Sequence, residues 1–235
     1  MANILINLNH GLGDILFCQK IAHKLIEHGH VVYWPITQRN HFGGSYQWLD
    51  EYIKFPNLNF FGIENPDMVL DLSNSIESNH PYDVMSCKYK MIKNTLPHLH
   101  TELVNITHDD WSDYLLFERN HTKESELFYN VLGLTDTDEF ILVNRYYGTN
   151  QIYNTQIPET TLKVVDMSVI NGFTLFDWCM VIEKAVEIHT IDTSINYVIE
   201  KLNLSAKVLK MTPRHPEHTY KCLNHLFKTE WEWVQ

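Results

Sequence analysis

Three groups of residues in this sequence have types and spacing that suit chemistry: Asp14 behind Gly11 and Gly13, Arg145 just past an apolar run, and Asp192-Thr193-Ser194 before a helical pattern. A carboxylate in the first turn of a helix complements the dipole and can cap the end. Held at the mouth of a crevice, the same carboxylate can act as a general base. Thr193 and Ser194 are hydroxyl donors at a helix start, where unpaired N–H groups favour anions. Arg145 carries a planar fork that suits phosphate oxygens. A fourth group is the basic cluster Lys88, Lys90 and Lys93 around Tyr89, dense for so acidic a chain. It reads as a solvated helix face or, with His10, as a candidate substrate patch.

The elements that must position these residues follow from the apolar pattern. Ile4 to Leu8 is a β-branched and leucine run typical of a buried parallel strand. The two glycines then suit a tight turn. From Asp14 to His28 a helix places Ile15, Cys18, Ala22, Leu25 and Ile26 on one stripe and stops at Gly29. The set resembles a dinucleotide fingerprint only in part. Leu16 replaces the third small residue, and the next strand, Val31 to Pro35, ends without the acid that would hold a ribose. Thr37 to Ser45, with Gln38, Arg39, His41, Gly43 and Gly44, reads as a polar loop. Phe60 to Ile63 and Met68 to Leu72 read as short strands, and Trp111, Tyr114, Leu115 and Phe117 close the first half.

Polar residues from Glu118 to Lys123 mark a boundary, giving domains 1–122 and 123–235. A helix over Glu124–Leu132, with Leu127, Phe128, Val131 and Leu132 inward, ends at Gly133. The alternation then restarts. Phe140–Val143, Leu162–Asp166 and Val186–Ile191 read as strands. Thr174-x-x-Asp177 opens a helix through Leu175, Trp178, Val181, Ile182 and Ala185 as a capping box. Ile195, Val198, Ile199 and Leu202 form the stripe of another. Alternating strands and helices of this kind build parallel sheets covered on both faces, with ligands beyond the strands' carboxyl ends. Gly11–Asp14, Arg145 and Asp192–Ser194 all fall at such ends, which predicts one site in a cleft between two halves.

Composition excludes several classes. With 18 Lys+Arg against 29 Asp+Glu and a formal net charge of −11, duplex nucleic acid and anionic membrane are not expected partners. The four cysteines show no metal-ligand spacing, and the 14 histidines are scattered, so no metal is expected. No apolar run reaches membrane-spanning length and no targeting segment precedes the first strand, which predicts a cytoplasmic chain.

Gly11-Leu12-Gly13-Asp14-Ile15-Leu16 resembles the glycine-Asp turn that opens heptosyltransferase-like glycosyltransferases of the GT-B fold. Ile191-Asp192-Thr193-Ser194-Ile195-Asn196 resembles the Asp-Thr-small segment of their second domain, and the helix, strand and motif order from Phe173 to Leu202 is similar too. The resemblance implies a compact GT-B chain: two Rossmann-like parallel-sheet α/β domains facing a cleft, the first on the acceptor side and the second binding a nucleotide sugar. It implies metal-independent, inverting transfer of a hexosyl or deoxyhexosyl group to a hydroxyl of a glycan acceptor in glycan biosynthesis, with no cofactor beyond the nucleotide-diphosphate sugar. Asp14 is then the base. Gly11, Gly13, Arg145, Asp192, Thr193 and Ser194 fall on the donor side, with the Asp192 carboxylate expected to cap the helix. The alternatives that remain are a binding protein of the same fold and another nucleotide-sugar-modifying enzyme.

Overall fold

The computed structural model describes residues 1–8, 11–36, 46–72, 88–89, 92, 103, 105–147, 151–152, 159–204, 207–214 and 223–234. The chain forms two compact units, Met1–Phe117 and Glu118–Gln235. The division falls a few residues before position 122. Arg119 explains this, because it forks onto Glu124 and Glu183 and so ties the polar connection to the second unit.

In the first unit, β1 (Asn3–Asn7) leads into α1 (Leu12–Phe17) and α2 (Gln19–Glu27), followed by β2 (Val31–Tyr33), α3 (Leu49–Tyr52), β3 (Leu58–Asn59) and β4 (Met68–Asp71). The sheet is parallel, in the order β3-β2-β1-β4. Ile4 and Ile6 of β1 are fully buried, as are Ile21, Ala22 and Leu25 of α2, so the alternation of the strand meets the stripe of the helix. Gly29, at φ +84°, turns the chain out of α2 in the left-handed region where a Cβ is strained.

The expected single helix from Asp14 to His28 is broken at Cys18 (φ −86°, ψ 2°). The cause is distant in sequence: the buried Tyr89 hydroxyl donates to the Phe17 carbonyl at 2.7 Å, so a side chain enters the helical ladder. The expected strand over Phe60–Ile63 lies earlier, at Leu58–Asn59. Its register with Val32 and Tyr33 carries Phe60 past the sheet and onto Trp34.

His23 on α2 is buried and stacked on Phe55, with ring centroids 3.9 Å apart and planes 10° apart. Burial lowers its pKa from 6.5 to about 4, against a smaller opposing pull from Glu27. The unfolded chain therefore takes up a proton that the native state refuses. Stability is complete above the ordinary imidazole value and is lost as pH falls toward the depressed one. His23 is expected to account for about 3 kcal/mol of that acid loss. Urea midpoints of wild type and His23→Phe between pH 7 and 4 check this: the variant's curve should be flatter, and parallel curves would refute it.

In the second unit, α4 (His121–Ser125) is capped by Asn120, whose Oδ1 accepts from the Lys123 N–H at 3.1 Å. It continues as a wider π-helical turn over Glu126–Val131. Leu127 and Phe128 are buried as expected, but the wider turn swings Val131 outward to 46% exposure. Then come β5 (Phe140–Asn144), a short antiparallel pair β6 (Tyr146–Tyr147) and β7 (Gln151–Ile152), β8 (Lys163–Asp166), α5 (Cys179–Lys184), β9 (Glu187–Ile191), α6 (Ile195–Leu202), β10 (Val208–Thr212) and β11 (Glu232–Trp233). These build a five-stranded parallel sheet in the order β11-β10-β9-β5-β8. Every residue of β5 is buried, as a central strand covered on both faces requires. The capping box is present: the Asp177 carboxylate accepts from the Thr174 N–H at 2.7 Å, and it opens one 3₁₀ turn ahead of α5.

Candidate functional site

In an open parallel sheet, a crevice forms outside the carboxyl ends of two neighbouring strands whose connections leave in opposite directions. The first sheet has this point between β1 and β4, because the chain runs from β1 to β2 on one side and later sets β4 on the other. Asn7 and Asp71 end the two strands in register, and Asn7 Nδ2 donates to Asp71 Oδ1 at 3.2 Å. Just beyond lies Asp14, in the first turn of α1.

Asp14 is not a solitary carboxylate. Its Oδ1 is 3.1 Å from Lys88 Nζ, and the side chains are 20% and 3% exposed. Lys88 Nζ also donates to the Leu72 carbonyl just past β4 at 3.4 Å. The pair therefore ties the start of α1 to the end of β4. Gly11 precedes α1 at φ −66°, ψ 164°, an extended conformation open to any residue. A Cβ there would meet Asp14 Oδ2 at 3.5 Å, ordinary contact, so the second carboxylate oxygen lies over the Gly11 backbone. Gly13 is inside α1.

Burial overturns the solvated-face reading of the basic cluster at Lys88, which is 2% exposed. Lys88 is the counter-ion of Asp14 rather than part of a solvated face. Tyr89 is buried edge-on against Phe17 at 5.2 Å, and burial pushes its hydroxyl pKa well above the ordinary value. His10, Lys90, Lys93 and the Thr37–Ser45 loop lie outside the described residues.

The second sheet has its crevice between β5 and β9, because β5 connects toward β8 on one side while β9, β10 and β11 lie on the other. Asn144 ends β5, and its Nδ2 donates to Thr193 Oγ1 at 2.9 Å and to Thr190 Oγ1 at 3.2 Å on the β9 side. Two orientations compete for the buried amide of Asn196. With its nitrogen turned inward it donates to the Ile191 and Thr193 carbonyls at 3.1 Å each. With its oxygen there it accepts from the Thr193 N–H and the Thr190 hydroxyl, each only at 3.5 Å. The first is favoured, because the oxygen otherwise faces carbonyls.

Thr193 and Ser194 thus stand where the sequence places them, at the start of α6. Arg145 and Asp192, also expected on the donor side, have partners of their own. Arg145 Nε is 2.9 Å from Asp166 Oδ1 at the end of β8, close enough for an ion pair although the N–H is not aimed well enough for a hydrogen bond. Asp192 does not occupy the cap position of α6, which is Ser194. Its Oδ1 accepts from the Arg214 N–H at 2.8 Å and from Arg214 Nε at 3.0 Å. Asn144, Thr190 and Arg214 are additions to the sequence reading. The signal for Arg214 was the run Val208-Leu209-Lys210-Met211 before Thr212-Pro213, a strand with the arginine at its carboxyl end.

Among the described residues, no group of three or more His, Cys, Asp or Glu side chains could hold a metal ion. No helix of those residues is long and apolar enough to cross a membrane.

The fold and the two polar clusters define a protein with two Rossmann-like parallel-sheet α/β units, each carrying charged or hydroxyl side chains at its switch point. Among solved structures, the chain is similar to the crystal structure of the glycosyl transferase family 9 from Veillonella parvula DSM 2008, with a TM-score of 0.49 and 13% identity over 99% of this chain and 86% of that one. No family model matches the chain. No curated protein matches it either. A likeness of that size assigns no activity, so the functional reading rests on the residues themselves.

Proposed function

We propose that this chain is a glycosyltransferase that moves a sugar from a nucleotide-diphosphate donor to a hydroxyl of a glycan acceptor, with inversion and without a metal. The observation that carries the reading is the placement of chemistry at both switch points: a carboxylate in the first unit, and a hydroxyl- and amide-rich turn in the second. The first unit takes the acceptor. Asp14 Oδ2 receives the acceptor's proton as that oxygen attacks the anomeric carbon. The bond from that carbon to the diphosphate breaks, and its electron pair leaves on the phosphate oxygen. The N–H groups and hydroxyls of Thr193 and Ser194 take the developing charge, and Arg145 exchanges Asp166 for the leaving phosphate.

Calorimetry with UDP, GDP and ADP in the presence of a chelator tests the donor half. At least one is expected to bind with a micromolar Kd, and Arg145→Ala should weaken it about tenfold while leaving the parent nucleoside unaffected. Silence with all three, or binding only with a divalent ion, would overturn the donor assignment. The second reading, a nucleotide- or carbohydrate-binding protein without turnover, is favoured by one observation: Lys88 already gives Asp14 a structural task. Nucleotide release across a panel of nucleotide sugars and acceptor glycans separates the two.

A further inference from the structure

The hydrogen-bond directions around Asn144 give this residue a task that no motif announces. Asn144 is 5% exposed at the end of β5. Its Oδ1 accepts from the Tyr146 N–H at 3.4 Å. A backbone N–H can only donate, so that contact fixes the amide with its oxygen toward Tyr146 and its nitrogen toward β9. The two N–H bonds of Nδ2 then go to Thr193 Oγ1 and Thr190 Oγ1, and both hydroxyl oxygens act as acceptors. The Thr190 proton is committed to the Ile191 carbonyl at 2.8 Å. The Thr193 proton cannot point at Asn144, because the amide nitrogen has no acceptor to offer.

We propose that Asn144 is a positioning residue: its amide fixes the Thr193 hydroxyl as a hydrogen-bond donor at the β5/β9 switch point, set to meet a phosphate oxygen. The proposal rests on the donor reading above and adds to it the group that orients the contact. The half-buried Thr193 stands beside the N-terminal turn of α6, so its hydroxyl and the backbone N–H groups there present donors of one sign. An amide is the side chain of this size that can accept from Tyr146 and donate to two hydroxyls at once. Aspartate has the same shape and the opposite polarity. It would accept from both hydroxyls and turn the Thr193 proton away from the crevice.

The test is a double-mutant cycle read by calorimetry, with UDP, GDP and ADP as probes and the parent nucleosides as controls. Asn144→Ala in the wild-type background is expected to weaken the diphosphate that binds best by about tenfold and to leave its nucleoside unchanged. Asn144→Asp should weaken it further. In a Thr193→Val background, which has no hydroxyl to orient, Asn144→Ala should change diphosphate affinity by less than about twofold. A purely structural role gives the same loss in both backgrounds, or an equal loss for nucleoside and diphosphate, and either result would overturn the proposal. If Asn144→Ala melts too low to assay, Asn144→Ser, which keeps one donor, is read in the same cycle. If the wild-type chain binds none of the three diphosphates, the donor reading fails and this inference fails with it. If it binds one and the cycle is additive, only the role of Asn144 fails.

Discussion

Asp14→Asn is expected to cost about 3–5 kcal/mol of stability, and adding Lys88→Met is expected to return most of it. A helix-cap view of Asp14 anticipates a few tenths of a kcal/mol for the same change. The larger figure comes from Lys88, whose side chain is 3% exposed and whose Nζ meets Asp14 Oδ1 at 3.1 Å. Asparagine leaves that charge buried with the Leu72 carbonyl, at 3.4 Å, and no carboxylate. Methionine has a stem of similar length and no charge, so the double variant removes the stranded ion. Unfolding in urea gives the stability arm of the cycle.

Turnover gives the other arm, and it is read on the double variant, which leaves no charge stranded in the interior. If Asp14 is the base, Asp14→Asn/Lys88→Met binds the nucleoside diphosphate like wild type but releases nucleotide at least about a hundredfold more slowly. If the double variant is both stable and near wild-type in transfer, Asp14 serves only as the counter-ion of Lys88. If the stability loss of Asp14→Asn is only a few tenths, the buried pair is not the dominant role of this aspartate.

The same pair shows what the sequence could reveal and what it could not. The strand from Ile4 and the helical stripe that stops at Gly29 are legible because apolar period and Gly29 are local signals. So are the capping box at Thr174 and the turn at Asp192-Thr193-Ser194. The strand order is not local. Alternation predicts parallel sheets but does not say that β4 flanks β1 or that β9 flanks β5, and those adjacencies make the two switch points.

Nor does anything near Lys88 distinguish it from Lys90 and Lys93. Its burial is set by a carboxylate far back in the chain, as the break at Cys18 is set by the Tyr89 hydroxyl. Arg145 reads from sequence as an anion ligand because a carboxylate partner on β8 cannot be seen until Val143 and Asp166 are known to be in register. In each case the partner that neutralises a charge or fills a hydrogen bond comes from a distant part of the chain.

The second large effect lies away from both switch points, where the chain enters the second unit. Glu124 on α4 has a fully buried carboxylate, 0% exposed, facing Arg119 at 23%. Arg119 Nε donates to Glu124 Oε1 at 2.8 Å, and its terminal nitrogens reach Glu183 on α5 at 2.6 and 2.7 Å. One guanidinium thus joins the entering segment to two helices. Arg119→Met strands the Glu124 charge in the interior and is expected to cost about 3–5 kcal/mol. Arg119→Lys should recover only part of that, because a point charge cannot fork onto two carboxylates. Arg119→Met/Glu124→Met removes both charges and should come back to within about 1–2 kcal/mol of wild type. Hydrogen exchange localises the effect: protection should fall in α4, α5 and β5 of Arg119→Met while β1 and α2 keep theirs. A double variant as unstable as Arg119→Met alone would mean that the arginine acts through the packing of its stem rather than its charge.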